Sequence, residues 1–468
     1  MPPQLGTTAQ AAAASQLDND GTSKASSVLH AKLTSTPPKI IKAQGNYLTT
    51  SDGTEIFDAT GGAAVACIGH GHPEVKSAIL NQLDEVEYCY SPFFTTSASE
   101  ALAKQLVEST NGEMSKVFIV SSGTEAVEAA LKLARQYFVE TNQPERVHFI
   151  ARKQSYHGNT LGSLAVGYHK ARRGIYQPLL STNVSHISPC YPYRGKRPGQ
   201  SDEGYVQNLA AELEEEFQRV GPESVCALIL ETLPGLTLGA VPPPKGYIAA
   251  MQRICHAHGA LLILDEVMCG MGRTGTLHVW EQEGVVPDLQ TVAKGLGAGY
   301  QPIGSLLVSK KVVEGVEKGT GSFVHSQTYQ GHAVACAAAG AVQEVVRGDR
   351  LVENVRVLGV VLGEKLRERL GGHGNIGDIR GRGFMWGIEL VQNKTTKEPF
   401  PASKKISATI HATGLQKEYG ISILPGGGVA DGVNGDVIML APAYNCTRAD
   451  IELIVERTAK VIEAVLGS

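Results

Sequence analysis

Two patterns of apolar residues alternate through the middle of the chain. Unbroken apolar blocks, such as Val225 to Leu230 and Leu261 to Leu264, are too short for helices and have no polar alternate positions. Between them lie segments in which apolar side chains recur every third or fourth residue. "KVFIVSSGTEAVEAALKLARQYF" contains both: Val117 to Val120 reads as a buried strand and "SSGTE" as a turn, while Val127, Ala130, Leu131, Ala134 and Phe138 mark one helix face. "SVCALILE" repeats the strand, and "GYIAAMQRICHAHGA" repeats the helix, with Ile248, Met251, Ile254 and Cys255 on one side. "LLILDEV", "LQTVAKGLG" and "IGSLLVS" supply further strands. Strands apolar on both faces and separated by helices predict a mostly parallel, two-side-covered sheet in an α/β domain over residues 90–340.

The flanks read differently. "NYLTTSDGTEIFDAT" alternates around Asp52-Gly53 like a hairpin, and "ASEALAKQLVEST" reads as a helix. Residues 341–468 carry a long amphipathic helix, "ENVRVLGVVLGEKLRERL", then "DIRGRGFMWGIELV" and a last helix, "ADIELIVERTAKVIEAVL", which predict a smaller α+β domain. Residues 1–30 are rich in Ala, Ser, Thr and Gln and are expected to form a disordered tail.

Composition narrows the class. Over 468 residues, 42% apolar and 19% charged content describe a globular chain of more than one core, and a net charge of −4 gives no basic footprint for nucleic acid. Eight cysteines without a CxxC pair suit reduced thiols, and the tail fits neither a secretory signal nor a mitochondrial presequence, so a cytoplasmic location is expected. There is no apolar run long enough for a membrane span.

Ligands of open α/β sheets sit beyond the carboxyl ends of the strands. Four such ends carry polar residues: Ser121 to Thr124, Glu231, Asp265 with Glu266, and Lys294. They are expected to converge on one crevice. A strand-to-helix turn such as Ser121–Ser122–Gly123–Thr124 can cradle phosphate through free N–H groups, or can be an ordinary N-cap. Asp265 either pairs with a structural arginine such as Arg273 or faces a cationic ring nitrogen. Lys294, closing an apolar strand before Gly295, Gly297 and Gly299, is either solvated or a desolvated nucleophile able to form a Schiff base. "GLGAG" lacks the spacing of a dinucleotide fingerprint. Tyr156 and His157 in "SYHGNT" suit stacking on a flat cofactor or simple core packing, and "GHGH" and "CHAH" lack a third ligand for a metal site.

In this order and spacing, the motifs "SSGTEAVEAALKLAR", "SYHGNTLG", "LLILDEVMCGMGRTG", "TVAKGLGAGYQPIGSLLVS", "SQTYQGHAVACAAA" and "GDIRGRGFMWGIEL" resemble the class III aminotransferases, pyridoxal 5′-phosphate enzymes of fold type I. The resemblance implies an aspartate-aminotransferase-like fold with a seven-stranded large-domain sheet, and a small domain to which residues 31–89 contribute. It implies that Lys294 carries the cofactor and then moves the proton, that Asp265 holds the pyridine nitrogen protonated, and that Val267 packs on the ring. Ser122, Gly123 and Thr124 match the phosphate cup, Tyr156 the aromatic that stacks on the ring, and Glu231 an acid beside the site, with His157 also expected among the cofactor-binding residues. Thr328 in "SQTYQG" matches a threonine that reaches the phosphate of the other subunit, implying a homodimer with interfacial sites, and a tetramer stays open. Arg273 is read as structural.

Departures from the pattern bear on substrate. Met268 replaces the glutamine usual after "DEV" in 2-oxoglutarate-using members, and Asn159 replaces the arginine after "HG" of acetylornithine enzymes. The mobile arginine of the amine–pyruvate group falls near Pro425, so a carboxylate clamp is missing or comes from Arg172, Arg173 or Arg194. Phe93 and Phe94 are expected as apolar pocket walls. These features place the chain nearer the amine–pyruvate group than the ornithine and acetylornithine group, as a ping-pong transaminase moving an amino group from an amine or ω-amino donor to a keto acid, pyruvate foremost. Other class III reactions (decarboxylation, amino migration, racemisation, phospholysis) and a non-catalytic cofactor-binding protein are the alternatives.

Overall fold

The computed structural model describes residues 26–467; most of the expected tail, residues 1–25, lies outside them. The predicted hairpin is present. Strands β1 (Ile40–Gln44), β2 (Tyr47–Thr50) and β3 (Glu55–Asp58) pair antiparallel, with Tyr47 opposite Phe57 and a turn in which Gly53 adopts φ 84°.

The central sheet has seven strands: β4 (Met114–Val120), β5 (His148–Arg152), β6 (Val184–Ile187), β7 (Val225–Glu231), β8 (Leu261–Asp265), β9 (Leu289–Val292) and β10 (Gly304–Ser309). Their order is β4-β10-β9-β8-β7-β5-β6, parallel from β9 to β6, with β10 antiparallel to both of its neighbours. β7 and β8 are buried throughout, which is why they read as unbroken apolar blocks. Their side chains still alternate. Leu228, Leu230, Leu262 and Leu264 pack with Ile248, Met251 and Cys255 of the helix Tyr247–Ala257. Ala227, Ile229, Leu261 and Ile263 pack with Val127, Ala130, Leu131, Ala134 and Phe138 of the helix Gly123–Glu140 on the opposite face. β5 ("HFIAR") and β6 ("VSHI") escaped the apolar pattern because histidine, serine and arginine interrupt such short runs.

The C-terminal third forms a second antiparallel sheet, ordered β11-β12-β16-β15, from β11 (Ile376–Arg382) and β12 (Met385–Asn393), with the two-residue β13 (Glu398–Pro399) at its side, then β15 (Leu424–Gly427) and β16 (Asp436–Leu440). Between β13 and β15, β14 (Ile421–Ser422) leaves this sheet and pairs parallel with β3, Ile421 against Phe57, joining the N-terminal hairpin to the C-terminal region. The helices Leu351–Leu370 and Arg448–Leu466 occupy the predicted amphipathic segments and share one core with β11, β12 and Phe57.

The helix Leu351–Leu370 approaches the β11–β12 turn backbone to backbone. A Cβ on Gly359 would sit 2.5 Å from Gly383 Cα and O, whereas one on Gly340, inside the helix Ala333–Gly348, meets nothing within 4 Å. Gly359→Ala is therefore expected to destabilise by about 1–3 kcal/mol through overpacking, and Gly340→Ala to stabilise by up to ~1 kcal/mol through helix propensity. Thermal or denaturant unfolding of the two variants checks both signs.

Candidate active site

The polar strand ends do meet. A cavity of about 710 Å³ lies beyond β7, β8 and β9, lined by Ser121 to Thr124, Tyr156, His157, Glu231, Asp265, Val267 and Lys294. Apolar wall comes from Ala63, Val65, Leu233, Leu236, Met268, Ile303 and Leu424.

Glu266 is the exception. Successive residues of an extended chain point to opposite faces, so Asp265 enters the cavity while Glu266 turns into the protein. Among the described residues, no cation meets Glu266. Its carboxylate accepts from Val279 N (2.7 Å), Trp280 N (2.9 Å), Thr232 Oγ1 (2.9 Å) and Gln290 Nε2 (2.9 Å). Burial outweighs these donors and pushes its pKa up to about 7.

Asp265 is buried, and its oxygens are held by His157 Nδ1 (2.7 Å), Val267 N (3.0 Å) and Thr291 Oγ1 (3.2 Å). Arg273 is not its partner, contrary to one sequence reading: that guanidinium donates to the carbonyls of Pro442, Phe384 and Ala64. Arg273 thus ties three separate stretches of chain together, the structural role expected of it. His157 is buried, with its Nε2 unpartnered. Glu231 accepts from Tyr156 N (3.3 Å) and Gly235 N (3.2 Å), and burial raises its pKa despite the nearby His157 and Arg152.

Lys294 follows β9 in a left-handed conformation, φ 43°, which costs on the order of 1–3 kcal/mol for a residue with a side chain. Desolvation lowers its pKa, opposed by the charges of Asp265 and Glu231. The strained turn aims a lysine of lowered basicity into the cavity.

The expected phosphate cup is a helix N-terminus. Ser122 caps the helix Gly123–Glu140 by accepting from Glu125 N, and the geometry of a first turn leaves Gly123 N–H and Thr124 N–H without intrahelical acceptors. Gly123 is required sterically: a Cβ there would stand 2.7 Å from Val267 Cγ1. The Thr124 hydroxyl is already engaged by Thr160, Ser163 and the Asn159 N–H, so Thr124 offers its backbone to a ligand more readily than its side chain.

One expectation changes: Phe93 and Phe94 do not line the cavity and are 75% and 66% exposed. Thr328, expected to serve another subunit's site, lies outside this cavity on an exposed segment where its carbonyl accepts from Tyr88 Oη (3.0 Å). Of the three candidate clamps, Arg173 is buried on Tyr168 and bonded to Gly167 O, Arg194 is paired with Glu389, and Arg172 alone reaches the cavity. Thr291, His169, Leu236 and Leu424 are site residues that sequence reasoning missed. Thr291 carried a faint signal, as one of two polar residues inside a fully buried strand, the other being Gln290.

A family match accounts for this arrangement. The profile described as aminotransferase class-III matches residues 30–462. The chain belongs to the class III aminotransferases. It is 49% identical over 456 residues to an aminotransferase of Gibberella zeae, covering 97% of this chain and 89% of that one. It is 32% identical to the diaminobutyrate–2-oxoglutarate transaminase of Halomonas elongata, covering 92% and 91%. In structure it resembles a thermostable (S)-enantioselective ω-transaminase from Thermomicrobium roseum, with a TM-score of 0.86 at 33% identity, covering 93% and 94% of the two chains. The fold is that of the fold type I transaminases. The cofactor of the family is pyridoxal 5′-phosphate, and the cavity fits it: a helix N-terminus with a bare glycine, a buried acid at a strand end, and an amine opposite. Among the described residues, no helix is long and apolar enough to cross a membrane.

The Glu266 pocket makes a pH-dependent prediction. Its folded pKa lies above the unfolded value, so its stabilising contribution is complete below the ordinary carboxylate range and is lost as pH rises through about 7. Glu266→Gln sets an amide NH₂ against N–H donors and is expected to cost on the order of 1–3 kcal/mol. The deficit relative to wild type should be largest near pH 5 and shrink by pH 8. Unfolding free energies at the two pH values test the sign.

Proposed function

We propose that this aminotransferase moves an amino group from a primary amine or ω-amino donor with an apolar body to a keto acid, pyruvate foremost, in two half-reactions of a ping-pong cycle. The observation that carries this reading is the wall. Met268 stands where a glutamine is usual in 2-oxoglutarate-using members, and with Leu233, Leu236, Leu424 and Val65 it makes the substrate side of the cavity apolar. The name of the Halomonas relative argues for 2-oxoglutarate as the acceptor instead, and the polar group that would suit it is absent from that position.

Bound pyridoxal phosphate supplies a ring that takes up the electron pair left on the donor carbon when its proton departs. Asp265, held against His157 and the Val267 N–H, is set to keep the ring nitrogen protonated. Ser122 with the Gly123 and Thr124 N–H groups would grip the phosphate, with Val267 and Tyr156 beside the ring and Glu231 behind it. Lys294 would hold the cofactor, and its Nζ would be placed to move the proton at the donor carbon, where its lowered pKa enlarges the basic fraction near neutrality. A homodimer fits the exposed aromatic side chains Tyr88, Tyr90, Phe93, Phe94 and Tyr329, of which Tyr88 and Tyr329 meet at the segment carrying Thr328. In such a dimer Thr328 would serve the partner's site.

Donor and acceptor are separable by absorption spectroscopy. A primary amine added alone is expected to bleach the visible band of the bound cofactor, and pyruvate to restore it. Lys294→Ala should lose roughly a thousandfold or more in the cycle. Restoration by 2-oxoglutarate alone would overturn the Met268 argument, and a band unmoved by every amine–keto acid pair would overturn the transaminase reading.

A further inference from the structure

Part of the apolar wall is a loop. After Glu231 ends β7 the chain has no strand or helix from Thr232 to Val241, and Leu233, Gly235, Leu236 and Thr237 of this stretch line the cavity. A loop keeps a pocket at one shape only where its backbone is tied to rigid elements. One tie is local: Gly235 N donates to Glu231 Oε1 (3.2 Å), and Gly239 N donates to Gly235 O (2.8 Å). The other tie comes from the C-terminal sheet.

Across that sheet, Arg380 of β11, Gly387 of β12, Met439 of β16 and Leu424 of β15 are successive partners, so they form one row on one face. Leu424, at one end of the row, lines the cavity. Arg380, at the other end, is buried and donates from Nε to Gly239 O (2.9 Å) and from Nη2 to Leu238 O. Gly387 beside it leaves room for this approach, since a Cβ there would collide with Gly239 O. The same face receives Leu236: a Cβ on Gly426 of β15 would stand 2.8 Å from Leu236 Cδ1. The loop therefore lies between the cavity and the row.

The guanidinium is held in one orientation from behind. Its Nη1 faces Asp378 Oδ2 (3.0 Å) and Glu389 Oε2 (2.7 Å), and Nη2 also donates to Tyr191 Oη (3.1 Å). Glu389 is fully buried, and its other oxygen accepts from Arg194 Nε (2.7 Å). Buried ion pairs are no better for stability than apolar packing of the same volume. A planar fork pinned by carboxylates on one side, however, presents its remaining donors in a fixed direction, which an ammonium cannot do. That direction is the backbone of the wall loop.

We infer that Arg380 is a positioning residue for the donor pocket. By fastening Leu238 and Gly239 to the C-terminal sheet, it holds Leu236 and Thr237 as a fixed surface on which the apolar body of the donor packs, a role that rests on the cavity being the donor-amine site proposed above.

Hydrogen exchange and amine half-reactions of the holoenzyme test this together. In the wild type, the segment 235–240 should exchange on the order of a hundredfold more slowly than an unprotected chain. Arg380→Lys keeps a charge beside Glu389 and gives up the fork; it should speed that exchange roughly tenfold while the helix Leu351–Leu370 keeps its protection. The KM for benzylamine should rise on the order of tenfold more than that for ethylamine, whose short body makes little use of the wall. Gly387→Ala presses on Gly239 without touching the ion cluster and should move both readouts in the same direction. Tyr191→Phe removes one partner of the cluster and leaves both carbonyl bonds, so it should lower the Tm and leave the benzylamine-to-ethylamine ratio in place. An unprotected wild-type segment, or unchanged exchange and amine ratio in both the Arg380 and Gly387 variants, would overturn the assignment. A ratio shifted as far by Tyr191→Phe as by Arg380→Lys would overturn it too, by making the cluster a general brace. If the wild type turns over no amine, the functional reading fails, and exchange in the Arg380 and Gly387 variants still decides whether Arg380 holds the wall.

Discussion

The end of β8 is where the structure meets its hardest electrostatic requirement. A strand with no solvent on either face delivers two successive carboxylates, and each must be compensated where it lands. Glu266 lands among four donors and becomes part of the scaffold. Asp265 lands at the cavity floor, held by a histidine, a hydroxyl and one backbone N–H. One carboxylate is thereby spent on structure and the other stays available for chemistry, and the difference arises from the two-residue repeat of an extended chain.

The remaining parts are arranged around that floor by close backbone approaches. Gly123 lets the helix N-terminus close on Val267, and Lys294 tolerates a left-handed turn that brings its amine toward Asp265 and Glu231. Arg273 donates to carbonyls near residues 64, 384 and 442, so the N-terminal segment and the C-terminal sheet are fixed to the strand-end turn. Leu424 reaches the cavity only because that sheet is held in place.

The main elements were legible because burial writes a period into sequence. β7 and β8 are apolar at every position but the last, and the helices covering them are apolar at every third or fourth. β5 and β6 were illegible because a few polar residues erase the signal in runs so short. Among site residues, Lys294, Asp265 and the Ser122–Thr124 turn announced themselves as polar groups at the ends of apolar blocks. His157 was legible only as one of two ring-bearing residues in a glycine-containing loop, and Leu236, His169 and Leu424 not at all, since nothing in a loop sequence says which cavity it will line.

By itself the sequence determined the α/β architecture and the placing of polar residues, Asp265 and Lys294 among them, at strand ends, because periodicity and interruptions of apolar runs are local properties. Only tertiary structure decided that Glu266 faces inward, that Arg273 serves backbone carbonyls in place of Asp265, that Phe93 and Phe94 stand outside the cavity, and that Arg172 rather than Arg173 or Arg194 enters it. Adjacent residues with the same charge are equivalent along the chain. They become different only when the fold chooses which side of the backbone is solvent, cavity or core.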